Sequence, residues 1–200
     1  MTQLAPAAGQ EFAAREIAKL QHGLDNLLSP QYLQCMAAIT AEVVRALEAG
    51  HRIFFCGNGG SAADAQHLAA ELVGRQNYDR APAAGIALTV DSSVLTCVGN
   101  DFGYDNVFAR QVTALGQPGD VLFGMSTSGR SANVVAALAA ARDAGLVTVA
   151  FTGCEPRGMA DADHVLAVPA DETAKVQELL LVSGHIIFAL VERALFPLDK

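Results

Sequence analysis

The stretch CGNGGSAADAQHLAAEL, residues 56–72, decides the fold, because a glycine-rich corner joins an apolar run to a helix-forming segment. The run RIFFC, at residues 52–56, is typical of a short buried strand. Glycine allows the backbone to turn sharply and to approach a ligand, and the helix that follows presents unpaired N–H groups. The stretch therefore predicts a strand, a tight turn and a helix.

Four more apolar runs, each bounded by Gly, Pro, Asp or Asn, are predicted to be buried strands: residues 85–90, 120–126, 146–152 and 164–169. Helical segments are predicted between and after them: residues 61–75, 92–115 with a break near GNDFG, 131–144 and 173–195. Such alternation is typical of parallel βαβ units covered on both faces. We expect an α/β fold, a three-layer α/β/α sandwich around a five-stranded parallel sheet.

Residues 1–49 precede this core and are predicted to form a helical pair, with helices over residues 12–28 and 32–49 separated by Ser29-Pro30. Amphipathic helices of this kind pack on their own domain or serve a subunit interface, and the sequence leaves both open. With residues 50–200 as the α/β core, the chain of 200 residues suits one domain.

Composition excludes several classes of function. The formal net charge of −8, without a basic run, argues against nucleic-acid binding. No uncharged apolar run reaches the roughly 18 residues that span a bilayer, and the start lacks the features of a signal peptide. We expect a cytoplasmic protein without a membrane partner. The cysteines are scattered, which favours buried reduced thiols over a disulfide frame: Cys35, Cys56, Cys97 and Cys154.

The first corner has two readings from its residues alone. Residues 57–62 satisfy the dinucleotide pattern G-x-G-x-x-[GA], which also needs an acidic residue about 20 positions later, at the end of the second strand. Asp79 has the spacing but lies in a loop, and Asp91 lies too far along, so this reading is disfavoured. A tight turn with Ser61 as the helix N-cap is the structural alternative.

A second corner follows the third predicted strand, in STSGRSANV at residues 126–134. Hydroxyl groups gather there at the start of a helix, and hydroxyls with helix N–H groups form a neutral cradle for phosphate. Capping the helix needs one hydroxyl, whereas this corner carries four. The phosphate site is predicted on these residues: Ser126, Thr127, Ser128 and Ser131.

Metal ligands are the third possibility. Asp64, His67 and Glu71 share one helix face, and a His and a Glu one turn apart can close on one ion. The last helix adds Gln177 and His185, which are separated by about 12 Å along the helix axis. That distance is near the limit for two ligands of one ion, so spacing alone does not favour a metal site over a solvated polar face.

Four motifs together resemble the SIS (sugar isomerase) domain family, and within it the phosphoheptose isomerases: residues 56–75, 95–112, 119–138 and 175–185. They occur in order within a resemblance that runs from about residue 30 to 195. It implies a flavodoxin-like five-stranded sheet, a homotetramer and active sites between subunits. It also implies one zinc ion per subunit on His67, Glu71, Gln177 and His185.

The resemblance implies the remaining site residues as well. Phosphate would bind at the second corner, and Gln177 would contact substrate as well as metal. The sugar would be lined by residues of the first corner and two beyond it: Asn58, Gly59, Gly60, Ser61, Arg75 and Asp101. Two positions depart from many members of the family, with Leu180 where a His is frequent and Ala174 where an Asp is frequent.

The implied reaction is the ketose–aldose isomerisation of sedoheptulose 7-phosphate to D-glycero-D-manno-heptose 7-phosphate through an enediolate, the first step of activated heptose synthesis. Glu71 is the predicted base and His185 the predicted acid, with the zinc ion polarising the carbonyl. The alternative is a non-catalytic SIS protein that binds a replication initiator. The intact GNGGS and STSG corners and Glu71 favour the isomerase.

Overall fold

The computed structural model describes residues 6–198 and contains one parallel sheet. Its strand order is β2-β1-β3-β4-β5. The strands are β1 Ile53–Gly57, β2 Gly85–Ala87, β3 Val121–Ser126, β4 Val147–Thr152 and β5 His164–Ala167. The predicted α/β sandwich with a five-stranded parallel sheet is therefore confirmed, although β2 is three residues shorter than the apolar run that predicted it.

Seven α-helices accompany the sheet in the described residues: α1 Pro6–Leu27, α2 Pro30–Glu48, α3 Gly60–Val73, α4 Ser92–Phe102, α5 Ala109–Leu115, α6 Ala132–Asp143 and α7 Thr173–Leu195. The predicted break near GNDFG lies where α4 ends. Gly103 follows with a φ of +83°, a backbone conformation that favours glycine, and leads into a short 3₁₀ turn.

The strands bury alternate side chains on opposite faces of the sheet. Ile53 and Phe55 of β1 pack into a core with residues of α2, α3 and α7. Phe54 and Cys56 of the same strand pack into a second core with residues of α4, α5 and α6. The full burial of neighbouring residues on β1 explains why its sequence is a continuous apolar run.

The four cysteines are free thiols in the described structure. Burial raises the pKa of Cys56 to about 12, so this thiol stays protonated. The prediction of buried thiols is correct for Cys56 but wrong for Cys97 and Cys154, which are exposed. Cys97 lies on the exposed face of α4, and Cys154 lies in the loop after β4.

One described helix, α7, is long and apolar enough by length and composition to cross a membrane. Its apolar side chains, among them Val176, Leu179 and Ile187, are buried in the core beside α2 and α3. In this structure α7 is the central core helix of one face of the sheet.

Helix α1 lies on the outside of α7. A Cβ atom on Gly23 would lie 2.7 Å from a methyl carbon of Leu179, so the two helices approach closely at that glycine. Lys19 forms an ion pair with Glu172 at 2.8 Å. The earlier part of α1 has large apolar side chains that are more than half exposed, since Phe12 and Ile17 expose 56% and 59%.

The strand order places a crevice between β1 and β3. The chain first adds β2 on one side of β1 and then returns to add β3 on the other, so the loops after β1 and β3 leave in opposite directions. Ligands of open α/β sheets bind at such a switch point, outside the carboxyl ends of the strands. Both polar corners predicted from the sequence start there, at Gly57 and Ser126.

Asp163 supplies a test of the fold at the opposite end of the sheet. Its carboxylate accepts hydrogen bonds from the N–H and the hydroxyl of Thr148 at 2.8 and 2.7 Å. Burial alone would raise the pKa of Asp163, but these hydrogen bonds outweigh it and lower the pKa. The stabilisation is therefore present above the unfolded-state pKa and is lost as the pH falls through the lowered folded-state pKa.

Asp163→Asn is expected to lower the free energy of unfolding by about 1 kcal/mol at pH 7, the lower end for hydrogen bonds to a charged group because the residue is partly exposed. Denaturant unfolding at pH 7 and pH 3 should show that the difference from the parent chain shrinks at pH 3. Asp143→Asn, at an exposed aspartate on α6, is the control. An equal loss at both pH values would contradict the assignment.

Candidate active site

The first corner depends on a glycine at the start of α3. Gly59 is the residue that caps α3 and has a φ of +56°, which an L side chain rarely adopts. Ser61 is the second residue of α3 and is buried, with 6% of its surface exposed. The alternative in which Ser61 is the N-cap is therefore wrong, because the strained backbone at the cap position requires the glycine.

Asn58 connects the two corners. Its amide and that of Asn133 exchange two hydrogen bonds, of 2.8 and 2.9 Å, and Tyr104 donates its hydroxyl to the Asn58 oxygen at 3.1 Å. Asn133 is buried at the start of α6. Sequence reasoning missed Asn133 and Tyr104, although Asn133 lies only two residues after Ser131. The pair of amides fixes the distance between the β1 and β3 loops.

The acidic residues weighed for a dinucleotide site are used otherwise. The Asp91 carboxylate caps α4 by accepting the N–H of Val94 at 3.0 Å. Asp79 lies exposed in the loop after α3. Neither follows the geometry of the fingerprint, in which the acidic residue ends the second strand and faces the ribose.

The second corner gathers hydroxyl groups at the start of α6. The Ser126 hydroxyl lies 2.9 Å from that of Ser131 and 3.5 Å from that of Ser128. Ser131 occupies the N-cap position of α6, but its side chain forms no capping hydrogen bond. Its hydroxyl faces Ser126 instead, so it is available with its neighbours to an anion at the helix start.

Gly129 shapes the same loop. Its φ is +64°, and a Cβ there would lie 2.6 Å from the backbone oxygen of Pro156. Thr127 and Ser128 border a cavity of about 310 Å³ whose other lining residues include Arg130 and Arg157. Two carboxylates, Glu155 and Asp171, line the same cavity, and Glu155 forms an ion pair with Arg157. The loop therefore offers mainly neutral donors to a phosphate group.

Three potential metal ligands meet between α3 and α7. The Nε2 atoms of His67 and His185 are 2.8 Å apart, and each lies within 3.4 Å of the same oxygen, Oε1, of Glu71. All three ligand atoms lie within 4.8 Å of one another. The other carboxylate oxygen, Oε2, is buried and has no hydrogen-bond partner. Two imidazoles and a carboxylate form a donor set typical of zinc.

Burial also shifts the titration of the acidic groups. It raises the pKa of Glu71, although His185 and His67 partly oppose it. It raises the pKa of Asp64 as well, against the hydrogen bond from Gln177 and the nearby histidines. Both carboxyl groups therefore hold their protons to a higher pH than exposed carboxyl groups do.

Gln177, the fourth predicted ligand, contacts the start of α3, and no hydrogen bond among the described residues joins it to His67, Glu71 or His185. Its amide nitrogen donates to Asp64 at 3.1 Å, and a Cβ on Gly60 would lie 2.3 Å from the Gln177 oxygen. Gln177 contacts the first turns of α3, at Gly60 and Asp64. His185, further along α7, contacts the later turns of α3, at His67 and Glu71. The two helices run side by side in the same direction.

Two predicted substrate-binding residues, Arg75 and Asp101, are exposed and are not brought into the histidine cluster. Arg75 is exposed in the loop after α3, and Asp101 is exposed near the end of α4. The Asp101 carboxylate accepts a hydrogen bond from the Asn100 amide at 2.7 Å. Among the hydrogen bonds of the described residues, none joins Arg75 or Asp101 to the histidine cluster.

Thr152 is a residue that the sequence did not indicate. It ends β4 and lies opposite Ser126 in the register of the sheet. Its hydroxyl is fully buried and has no hydrogen-bond partner in the described structure. This buried donor lies beside the second corner and increases the number of unsatisfied hydrogen-bonding groups there.

The family model of the SIS domain matches residues 17–153 of this chain. Relatives of similar length extend the match over most of the sequence. The chain belongs to the SIS domain family.

Within that family, it is similar to proteins named phosphoheptose isomerase. One from Maridesulfovibrio salexigens is 50% identical over 167 residues, which are 83% of this chain and 82% of the relative. One from Solidesulfovibrio magneticus is 55% identical over 151 residues, 76% and 74% of the two chains. The solved phosphoheptose isomerase from Neisseria gonorrhoeae is 39% identical, with a TM-score of 0.82 over 92% of this chain and 98% of that one. These relatives give no support to the regulatory alternative.

The His67–Glu71–His185 cluster is expected to bind a divalent cation. Removing one ligand should weaken that binding by more than about 100-fold, beyond the range seen when a residue that only supports a ligand is changed. Titration of His67→Ala with Co²⁺, followed by its visible absorption, measures the loss. The control is His51→Ala, a histidine beside Asp120 and outside the cluster. Equal Co²⁺ affinity in the parent chain and His67→Ala would contradict the assignment.

Proposed function

We propose that this chain is an enzyme that interconverts sedoheptulose 7-phosphate and D-glycero-D-manno-heptose 7-phosphate. The observation that carries the proposal is the cluster of His67, Glu71 and His185, formed between α7 and the helix α3 that begins at the first corner. Relatives about 50% identical over most of this chain are named phosphoheptose isomerase, which supports the same reaction.

Substrate binding is assigned to the two corners. The phosphate is held by the hydroxyls of the second corner and the N–H groups at the start of α6: Ser126, Thr127, Ser128 and Ser131. Asn58 and Ser61 contact the sugar beside the close-approach glycines Gly59 and Gly60. Arg75 and Asp101 line the open side of the pocket.

A zinc ion is assigned to His67, Glu71, Gln177 and His185. The three clustered ligand atoms fit such an ion, and the unpartnered Oε2 atom of Glu71 marks unfilled binding capacity at the same place. When bound, the ion supplies Lewis-acid polarisation of the sugar carbonyl.

The proton transfers are assigned to two residues. Glu71 takes the proton from C1 of the ketose and returns it to C2, so an enediolate separates the two steps. His185 moves the proton between O1 and O2. Burial raises the pKa of Glu71, and the neighbouring His185 and His67 oppose that shift. A carboxylate held by a metal ion is a weaker base, so the proposal requires Glu71 to leave the ion before it takes the proton.

The departures from the family fall outside the cluster. Leu180 is 2% exposed and packs in the apolar core of the α7 face. Ala174 lies at the start of α7. The proposal therefore assigns no proton transfer to these positions, and the acid–base work rests on Glu71 and His185.

The setting of the enzyme is also a proposal. We assign it to the cytoplasm and to the first step of activated heptose synthesis, which supplies lipopolysaccharide and other glycosides. A homotetramer with active sites between subunits is supported by the exposed apolar side chains of the N-terminal helices, including Phe12, Ile17 and Leu33.

Glu71→Gln is expected to reduce isomerisation by about 1,000-fold, because the amide cannot act as the base. NMR of the protein in D₂O with sedoheptulose 7-phosphate detects the aldose anomeric signals and the entry of deuterium. Calorimetry should show that the variant still binds the sugar phosphate. The control is Glu178→Gln, whose carboxylate pairs with Lys175 on the outside of α7. Activity of Glu71→Gln within about tenfold of the parent chain would contradict its role as the base.

Ser131→Ala tests the phosphate site separately. Loss of one hydrogen bond to an anion should raise KM by about tenfold and leave kcat nearly unchanged, because the phosphate is distant from the reacting carbons. Steady-state kinetics measure the split. Thr113→Ala is the control, since that hydroxyl donates only to the backbone of its own helix, to Ala109 at 3.0 Å. A fall in kcat at unchanged KM would contradict the assignment.

A further inference from the structure

A buried ion pair lies just beyond the histidine cluster. The Nε atom of Arg80 is 3.2 Å from Oε1 of Glu192, and the two side chains expose only 4% and 1% of their surface. Arg80 lies in the loop after α3, and Glu192 lies on α7. The pair therefore joins the two elements that carry the candidate metal ligands.

Glu192 holds the loop that follows α3. Its carboxylate accepts the backbone N–H groups of Gln76 and Asn77 at 3.0 and 2.9 Å, and the Asn77 amide at 3.0 Å. With Arg80, the carboxylate receives four hydrogen bonds. A buried carboxylate with this many donors is fixed in one orientation.

The Arg80 side chain caps the carboxyl end of α3. Its guanidinium donates to the backbone oxygens of Glu71, Leu72 and Gly74 at 2.6, 2.7 and 3.2 Å. The last carbonyl groups of a helix otherwise need water or a cap. The first of these acceptors is the backbone of the residue assigned as the base, so the position of Glu71 depends on Arg80.

Gln76 completes the connection on the side of α7. Its side-chain amide donates to the backbone oxygen of His185 at 2.9 Å, while its backbone N–H is held by Glu192. The Tyr78 hydroxyl faces the end of α7, where the backbone oxygens of Phe196 and Glu192 lie 2.8 and 3.1 Å away as acceptors. The loop thus contacts α7 at both His185 and Glu192.

We propose that Arg80 and Glu192 are positioning residues that set the distance between Glu71 on α3 and His185 on α7. The inference rests on the proposed function of that cluster. A buried ion pair adds little net stability compared with apolar packing, but it fixes which atoms meet. Groups that support metal ligands through hydrogen bonds control both metal affinity and activity.

The test compares Glu192→Gln with a matched control. Glu192→Gln keeps the shape but removes the charge that faces Arg80 and three other donors. The control is Asp120→Asn, which also changes a buried carboxylate that accepts backbone N–H groups, those of Arg52 and Gln117 at 2.8 and 2.9 Å. Asp120 directly precedes β3, and its contacts are to Arg52, Gln117 and His51, none of which belongs to the cluster. Unfolding of both variants by denaturant measures the loss of stability that they share.

Co²⁺ affinity, steady-state kinetics and the NMR signals of the histidine rings are then measured on the full chain. Glu192→Gln is expected to lower Co²⁺ affinity by about tenfold or more, and to lower kcat with little change in KM. The ring signals of His67 and His185 should move in its NMR spectrum, which is tractable because the chain has 5 histidines. Asp120→Asn should move only the signal of His51, which lies beside Asp120.

The outcomes separate this inference from the proposed function. If the parent chain binds no Co²⁺ and forms no aldose, the proposed function fails, and the ring signals of His67 and His185 still decide the inference. If the parent chain is active but Glu192→Gln matches Asp120→Asn in all three readouts, the inference is overturned. Arg80→Lys should give an intermediate loss of Co²⁺ affinity, because it retains the charge without the fork of donors.

Discussion

The packing of α7 alongside α3 is the constraint on which the candidate site depends. Gly184 of α7 permits the close approach, since a Cβ there would lie 3.0 Å from a methyl carbon of Leu68. At that separation, His185 reaches both His67 and Glu71. A larger side chain at the glycine would move the helices apart and separate ligands that now lie within hydrogen-bond distance.

The fold could be predicted because its signals are local. The five strands are short apolar runs bounded by turn residues, and the full burial of β1 and β3 follows from helices on both faces of the sheet. The second corner was predictable from the four hydroxyls after the third strand. The metal cluster was not, because spacing cannot show that His185, far along the chain, packs on the face of α3 that carries His67 and Glu71. The family resemblance supplied that contact, and the structure brings those three residues together.

The features that sequence reasoning missed depend on contacts between distant segments. The sequence around Asn133 predicts only the start of a helix. In the structure, its side chain forms two hydrogen bonds with Asn58 across the switch point. Glu192 was also missed, although it is an acidic residue on an apolar helix, seven positions after His185 and thus near the same face. Its partners lie in the loop at residues 76–80, and no local pattern indicates which loop meets α7.

Buried polar atoms without a hydrogen-bond partner mark places where the folded state is less stable than it could be. A buried polar atom without a partner costs free energy, so each one needs an explanation. In the described residues, three buried side-chain atoms lack one: Oε2 of Glu71, Oε1 of Gln76 and Oγ1 of Thr152. The first belongs to the cluster, the second to the residue that holds His185, and the third to the strand end beside Ser126. Among the described side chains, the rest of the core contains no such atom. The unsatisfied hydrogen-bonding capacity is therefore confined to the cluster, to the loop that holds His185 and to the strand end beside the second corner.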